Sequence, residues 1–163
     1  MPPLARFILR YFWLFGILVT FVNVPLVWRR ARKRMAEDPD LAPGYRRLMF
    51  WFFGLLTIPW VVMGVGMTIG GVPTVLHYFR PRDGDPYVLA WHSCVVLLWI
   101  VTVVWIYFKG GAETLVKYPG FFYPESSSPL QIKFFTALAL LGGLTAMLVM
   151  WFCDLPIPNL AWH

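Results

Sequence analysis

Residues 48–69 read LMFWFFGLLTIPWVVMGVGMTI, and none of them carries a charge. At ~1.5 Å per residue such a run matches the ~30 Å hydrocarbon core of a bilayer, so it reads as a membrane-spanning helix. Three comparable runs share the 163-residue chain. The lipid phase is therefore the solvent in which every other feature must be interpreted.

Composition agrees. The chain is 59% hydrophobic and 13% charged, whereas roughly a quarter of the residues of a soluble domain are charged. The net charge of +6 matters less here than how it is distributed, and a nucleic-acid partner is not expected. Two cysteines, Cys94 and Cys153, are too few for a disulfide framework, and there is no CxxC. The start resembles a signal peptide only in having Arg6 and Arg10 before an apolar run. It lacks a small-residue cleavage site and ends in Trp28-Arg29-Arg30, so it reads as a retained first helix.

The expected fold is an all-α membrane protein, a bundle of four transmembrane helices, with residues 1–163 forming one integral membrane domain. The helices are expected near 7–28, 48–69, 87–108 and 134–152. Residues 37–44 (EDPDLAPG) read as a turn-rich connector. The long segment 109–133 reads as cytoplasmic and interfacial. Within it Ala112–Tyr118 suits a short surface helix, and Phe121, Phe122 and Tyr123 suit aromatic anchors at headgroup level.

Lysine and arginine set the expected orientation. Loop one holds Arg29, Arg30, Arg32, Lys33, Arg34, Arg46 and Arg47, and loop three holds Lys109, Lys117 and Lys133. Those are ten of the chain's fourteen positive residues, which places both loops in the cytoplasm and both termini outside. A bacterial-type inner membrane is the expected location. The cluster Arg29, Arg30, Arg32, Lys33 and Arg34 serves first as a topology anchor. It also offers anionic lipid headgroups about 1 kcal/mol per charge.

Small residues mark expected packing faces. Gly66 and Gly70 form a GxxxG spacing beyond Pro59, a residue expected to kink its helix. Ala139, Gly142, Gly143 and Ala146 line the fourth span. Such faces suit other membrane helices, in a homo- or hetero-oligomer. With no GxGxxG after a strand, GxSxG, HExxH or P-loop, and no acidic relay within the spans, nothing specifies a reaction. The first expectation is a non-enzymatic accessory or structural subunit without a cofactor.

The alternative is a redox or metal-handling protein. His77, His92 and His163 fall on one side, Met63 and Met67 share a face of helix two, and Met147, Met150 and Cys153 run up helix four, followed by Asp154. Imidazole, thioether and thiolate suit copper, and imidazole also suits haem iron. His92, the one ionisable group well inside a span, beside Trp91 and near Trp99, is the candidate cofactor residue for haem or a quinone. Against this, methionine is an ordinary filler of apolar cores. Cys94 and Cys153 differ in depth, which argues against a bridge between them. The outer loop Arg80-Pro81-Arg82-Asp83-Gly84-Asp85 reads as charges paired among themselves.

Overall fold

The computed structural model describes residues 3–119 and 127–153. It is all-helical, with no strand among the described residues. In chain order the helices are α1 (Pro3–Arg10), α2 (Phe12–Glu37), α3 (Ala42–Thr68), α4 (Pro86–Val103), α5 (Gly111–Lys117) and α6 (Pro129–Phe152). A π-helical turn, Val104–Phe108, continues α4, and 3₁₀ turns lie at Pro39–Leu41, Val75–Phe79 and Pro81–Asp83. Four of these segments are long and apolar enough to cross a membrane: α2, α3 with its preceding 3₁₀ turn, α4 with its π turn, and α6. The protein is an integral membrane four-helix bundle.

The helix starts follow local chemistry. Asp85 caps α4 by accepting from the backbone N–H groups of Tyr87 (2.8 Å) and Val88 (3.2 Å), with Pro86 at the first helical position. Ser128 opens α6 with a capping box: its hydroxyl accepts from Gln131 N–H while the Gln131 side chain accepts from Ser128 N–H. Gly110, at φ 71°, makes the left-handed turn into α5, a conformation that a side chain would strain.

Three boundaries differ from the sequence expectation. The first span is not one helix from residue 7 but two, broken at Tyr11. Its second part also runs on to Glu37, so the basic cluster is helical rather than looped. The run ARKRMAE consists of strong helix formers, and no breaker intervenes before Pro39. The connector at 37–44 shrinks to one 3₁₀ turn, where Asp38 accepts from Asp40 N–H, and α3 begins at Ala42 with Pro43 in its first turn. α6 begins five residues before the expected 134. The short helix expected at Ala112–Tyr118 is α5.

Two cores hold the bundle, one at each end. At the basic end Val27, Ala31, Tyr45, Met49, Ile106 and Ile132 are buried together with Ala112 and Leu115 of α5. At the opposite end Met63, Met67, Val72, Val75, Tyr78 and Val88 form the second cluster, with Trp13, Trp60 and Trp91 against it. Each core gathers neighbouring ends of antiparallel helices, which makes the topology up-down-up-down. α2 packs on α3 and α3 on α4, whereas α6 stands at the margin. No residue in the most apolar stretch of α6 is buried.

Aromatic rings seat on helix glycines throughout. Trp60 covers Gly16, Tyr118 covers Gly44, and a methyl group on Gly64 would lie 2.6 Å from Trp13. In a bilayer, packing of this kind replaces the hydrophobic drive that water supplies elsewhere.

Candidate functional site

Two places in the bundle combine unusual chemistry with defined geometry. The first lies at the end that carries the histidines. Leaving α3, the chain turns at Gly70 and Gly71, the latter at φ 73°, and Val72 N–H returns to Gly66 carbonyl at 3.0 Å. The 3₁₀ turn Val75–Phe79 then lies over the end of the bundle, against α1 and α4. Tyr78, 2% exposed, is its inward-pointing residue and donates from its hydroxyl to Met63 carbonyl at 3.0 Å. Burial, and then the negative charge of Asp85, push its phenol up to about 12.

His92 lies about 9 Å along α4 from its first residue at ~1.5 Å per residue and is 3% exposed. Its Nε2 is 3.0 Å from Tyr78 carbonyl. A carbonyl oxygen only accepts, so Nε2 carries the proton and a neutral ring bears its lone pair on Nδ1. That nitrogen is buried and makes no hydrogen bond among the described residues, as is also true of the indole N–H groups of Trp13 and Trp91. The imidazole meets Trp91 edge-to-face with ring centres 5.1 Å apart, and Trp151 of α6 at 5.9 Å.

The other candidate ligands are placed less centrally. His77 is half-buried, and its Nδ1 shares a hydrogen bond with the Thr74 hydroxyl at 3.0 Å. Met63 and Met67 are buried in the core beside Tyr78. Met147 and Met150 are half-buried on α6, and Cys153 is exposed at its end. Among the described residues no three His, Cys, Asp or Glu side chains group closely enough to hold a metal ion. Cys94 and Cys153 are both free thiols. In the loop between α3 and α4 Arg80 pairs with Asp83 at 3.2 Å, and Arg82 lies over the Phe152 ring at 5.8 Å. Asp154, His163, Phe121, Phe122 and Tyr123 lie outside the described residues.

Three of the four expected packing glycines are occupied from within the chain. Gly66 faces the Tyr78 hydroxyl and Tyr87, Gly70 faces the Tyr87 ring, and a methyl on Gly143 would sit 2.7 Å from Trp99. Ala139, Gly142 and Ala146 are exposed, and nothing lies within 4 Å of where a Gly142 side chain would begin. Arg29, Arg30, Arg32 and Lys33 are exposed on the last turns of α2, and Arg34 pairs with Glu37 at 2.9 Å.

The second place is a cleft of about 1050 Å³ in the basic half of the bundle, walled by α3, α4 and α6 and floored by α5. It exists because α6 is held at its two ends. At one end Gly143 meets Trp99 and Trp151 meets His92. At the other Tyr107 donates to Lys133 carbonyl at 2.6 Å, and the Lys133 ammonium meets Glu113 at 3.0 Å. The backbone N–H of Glu113 and then Lys133 hold that carboxyl below its usual range. Between these ties α6 stands off, with Thr136, Ala139 and Leu140 facing the gap. Neither Tyr78 nor this cleft was singled out from the sequence. Tyr78 sits in an irregular loop with no periodicity to mark it, and the cleft depends on where α6 is tethered.

No known family model matches the chain, and comparison with characterised proteins and with solved structures finds no match either.

Proposed function

We propose that the protein is a non-enzymatic accessory subunit that packs against other membrane helices, in a bacterial-type inner membrane with both termini outside. One observation carries this reading. Of the glycines within the four long helices, Gly16, Gly44, Gly64, Gly66 and Gly143 are each covered by an aromatic ring of the same chain, whereas Gly54 and Gly142 face outward uncovered. Gly142 is followed at i+4 by exposed Ala146, a small-xxx-small spacing that lets another backbone come close. The basic cluster on α2 supports the orientation through the positive-inside rule.

The test is purification in a mild detergent, followed by identification of stoichiometric companions. Gly142→Leu should abolish co-purification without lowering thermal stability, because among the described residues nothing beyond its own helix backbone lies within 4 Å of where the side chain would begin. A protein that isolates alone, or a complex indifferent to Gly142→Leu, would refute the assignment. A reporter fused after His163 should be active only on the outer side.

A second reading, metal or haem handling at His92, draws support from the buried, unpartnered Nδ1 lone pair. Stoichiometric copper, or a Soret band abolished by His92→Ala, would establish it in place of the accessory role.

A further inference from the structure

We propose that the cleft between α3, α4 and α6 is a binding site for one phospholipid with an anionic headgroup, with one of its two acyl chains within the cleft and its phosphate at Arg47. Length, wall chemistry and charge support it together.

The cleft is lined along α3 from Pro43 to Leu56, and its part inward of Arg47 covers the nine residues to Leu56. Nine residues at ~1.5 Å each give about 14 Å, half of the ~30 Å hydrocarbon core and therefore the depth of one leaflet. Its volume of about 1050 Å³ lies at the upper end of ligand-binding pockets, which run to ~1,000 Å³. The inner end closes where Trp99 meets Gly143. Trp51, Leu56 and Ala139 on the rim are exposed, so the long side faces the bilayer.

The walls are mostly hydrocarbon and indole, with Tyr118, whose hydroxyl lies over Gly44, and Thr136 also in the lining. Two hydroxyls that reach the lining are used locally: Thr102 donates to Leu98 carbonyl at 2.8 Å and Thr114 to Gly110 carbonyl at 2.8 Å. The site therefore suits an occupant that is apolar along its length and polar at one end.

The polar end is set by charge. Arg47 lines the mouth, is exposed, and has no acidic partner among the described residues. A guanidinium at headgroup depth binds phosphate through two parallel N–H donors, and it favours a lipid of net negative charge over a zwitterion whose own ammonium already compensates the phosphate. This site is separate from the basic cluster of α2, none of whose residues lines the cleft.

Native mass spectrometry of the detergent-purified full chain, titrated with phosphatidylglycerol and separately with phosphatidylcholine, tests the proposal. The expected result is one tightly retained phosphatidylglycerol per chain. Arg47→Gln should weaken its retention about five- to tenfold towards the phosphatidylcholine level. Ala139→Trp fills the gap from an exposed position and should remove retention of both lipids, with helix content and thermal midpoint unchanged. The paired change Arg30→Gln and Arg32→Gln should leave the single adduct in place. The site is refuted if no adduct is retained or if Ala139→Trp keeps it. Headgroup-independent binding, loss on the α2 changes alone, or a partner protein cross-linking from residue 139 in place of lipid would each overturn it as well.

Discussion

His92 Nε2 donates to the backbone carbonyl of Tyr78 across 3.0 Å, joining the first third of α4 to the loop that covers the bundle end. The bond holds the imidazole in one tautomer and gives a 3₁₀ turn carbonyl the partner it would otherwise lack inside the protein. The same loop is fastened a second time by the Tyr78 hydroxyl on Met63. Two hydrogen bonds from opposite ends of one residue thus fasten an irregular segment that has no regular ladder of its own.

Substitution at His92 should separate hydrogen bonding from packing. The amide nitrogen of glutamine reaches the Nε2 position, whereas that of asparagine corresponds to Nδ1. His92→Gln should retain most of the thermal midpoint in detergent. His92→Asn should lose about 1–3 kcal/mol, the cost of a buried carbonyl left unsatisfied. Equal losses in the two variants would show that the ring's contacts with Trp91 and Trp151 dominate.

Tyr78 makes stability sensitive to alkali. Its phenol is held up at about 12 against an ordinary value of 10.0, so the folded state keeps a proton that the unfolded state releases. This contribution is complete below pH 10 and is lost as the pH rises towards 12. Tyr78→Phe should melt lower at neutral pH, by about 0.5–1.5 kcal/mol for the lost bond to Met63, and its midpoint should fall less steeply between pH 10 and 12. A variant with the wild-type alkaline slope would rule out the phenol as the source.

The Glu113–Lys133 pair behaves in the opposite sense. The Glu113 carboxyl is held below its ordinary value of 4.5, first by its own backbone N–H and then by Lys133. Its contribution is present above that value and is lost as pH falls through the folded-state pKa. Lys133→Gln should flatten part of the acid-side decline, because the backbone contribution survives. Thermal midpoints between pH 3 and 6 measure the difference, and an unchanged profile would contradict the pairing.

Adjacent glycines on α6 should respond in opposite ways. A side chain at Gly143 would strike Trp99, so Gly143→Leu should cost about 1–3 kcal/mol by overpacking and alter tryptophan fluorescence. Gly142→Leu points away from the other described residues and, by replacing a mid-helix glycine, should raise stability by about 0.5–1 kcal/mol and leave tryptophan fluorescence unchanged in isolated protein. Similar destabilisation by both would mean that α6 sits in a different rotation.

Legibility from sequence was uneven. An uncharged run such as 48–69 declares its membrane solvent without any partner. The start signal at Ser128-Pro129 is local too, yet the apolar run alone points to a start near 134. The basic cluster, taken as loop, proved helical because charge marks where the bilayer ends rather than where the helix does. The pairing of Arg80 with Asp83 was readable because those residues are three apart. The contact between His92 and Tyr78 spans fourteen residues and a change of direction, and no local pattern encodes it.

The sequence by itself determined the solvent, the four spans and the basic end, since these depend on hydropathy, length and charge along a single helix. Tertiary structure alone decided which glycines are filled by rings, which nitrogen of His92 is protonated, and that α6 is tied at both ends around a cleft. Those features are set by distances between helices. In lipid, where apolar side chains gain little by meeting one another, such distances follow from the shapes of facing surfaces rather than from the hydrophobicity of either one.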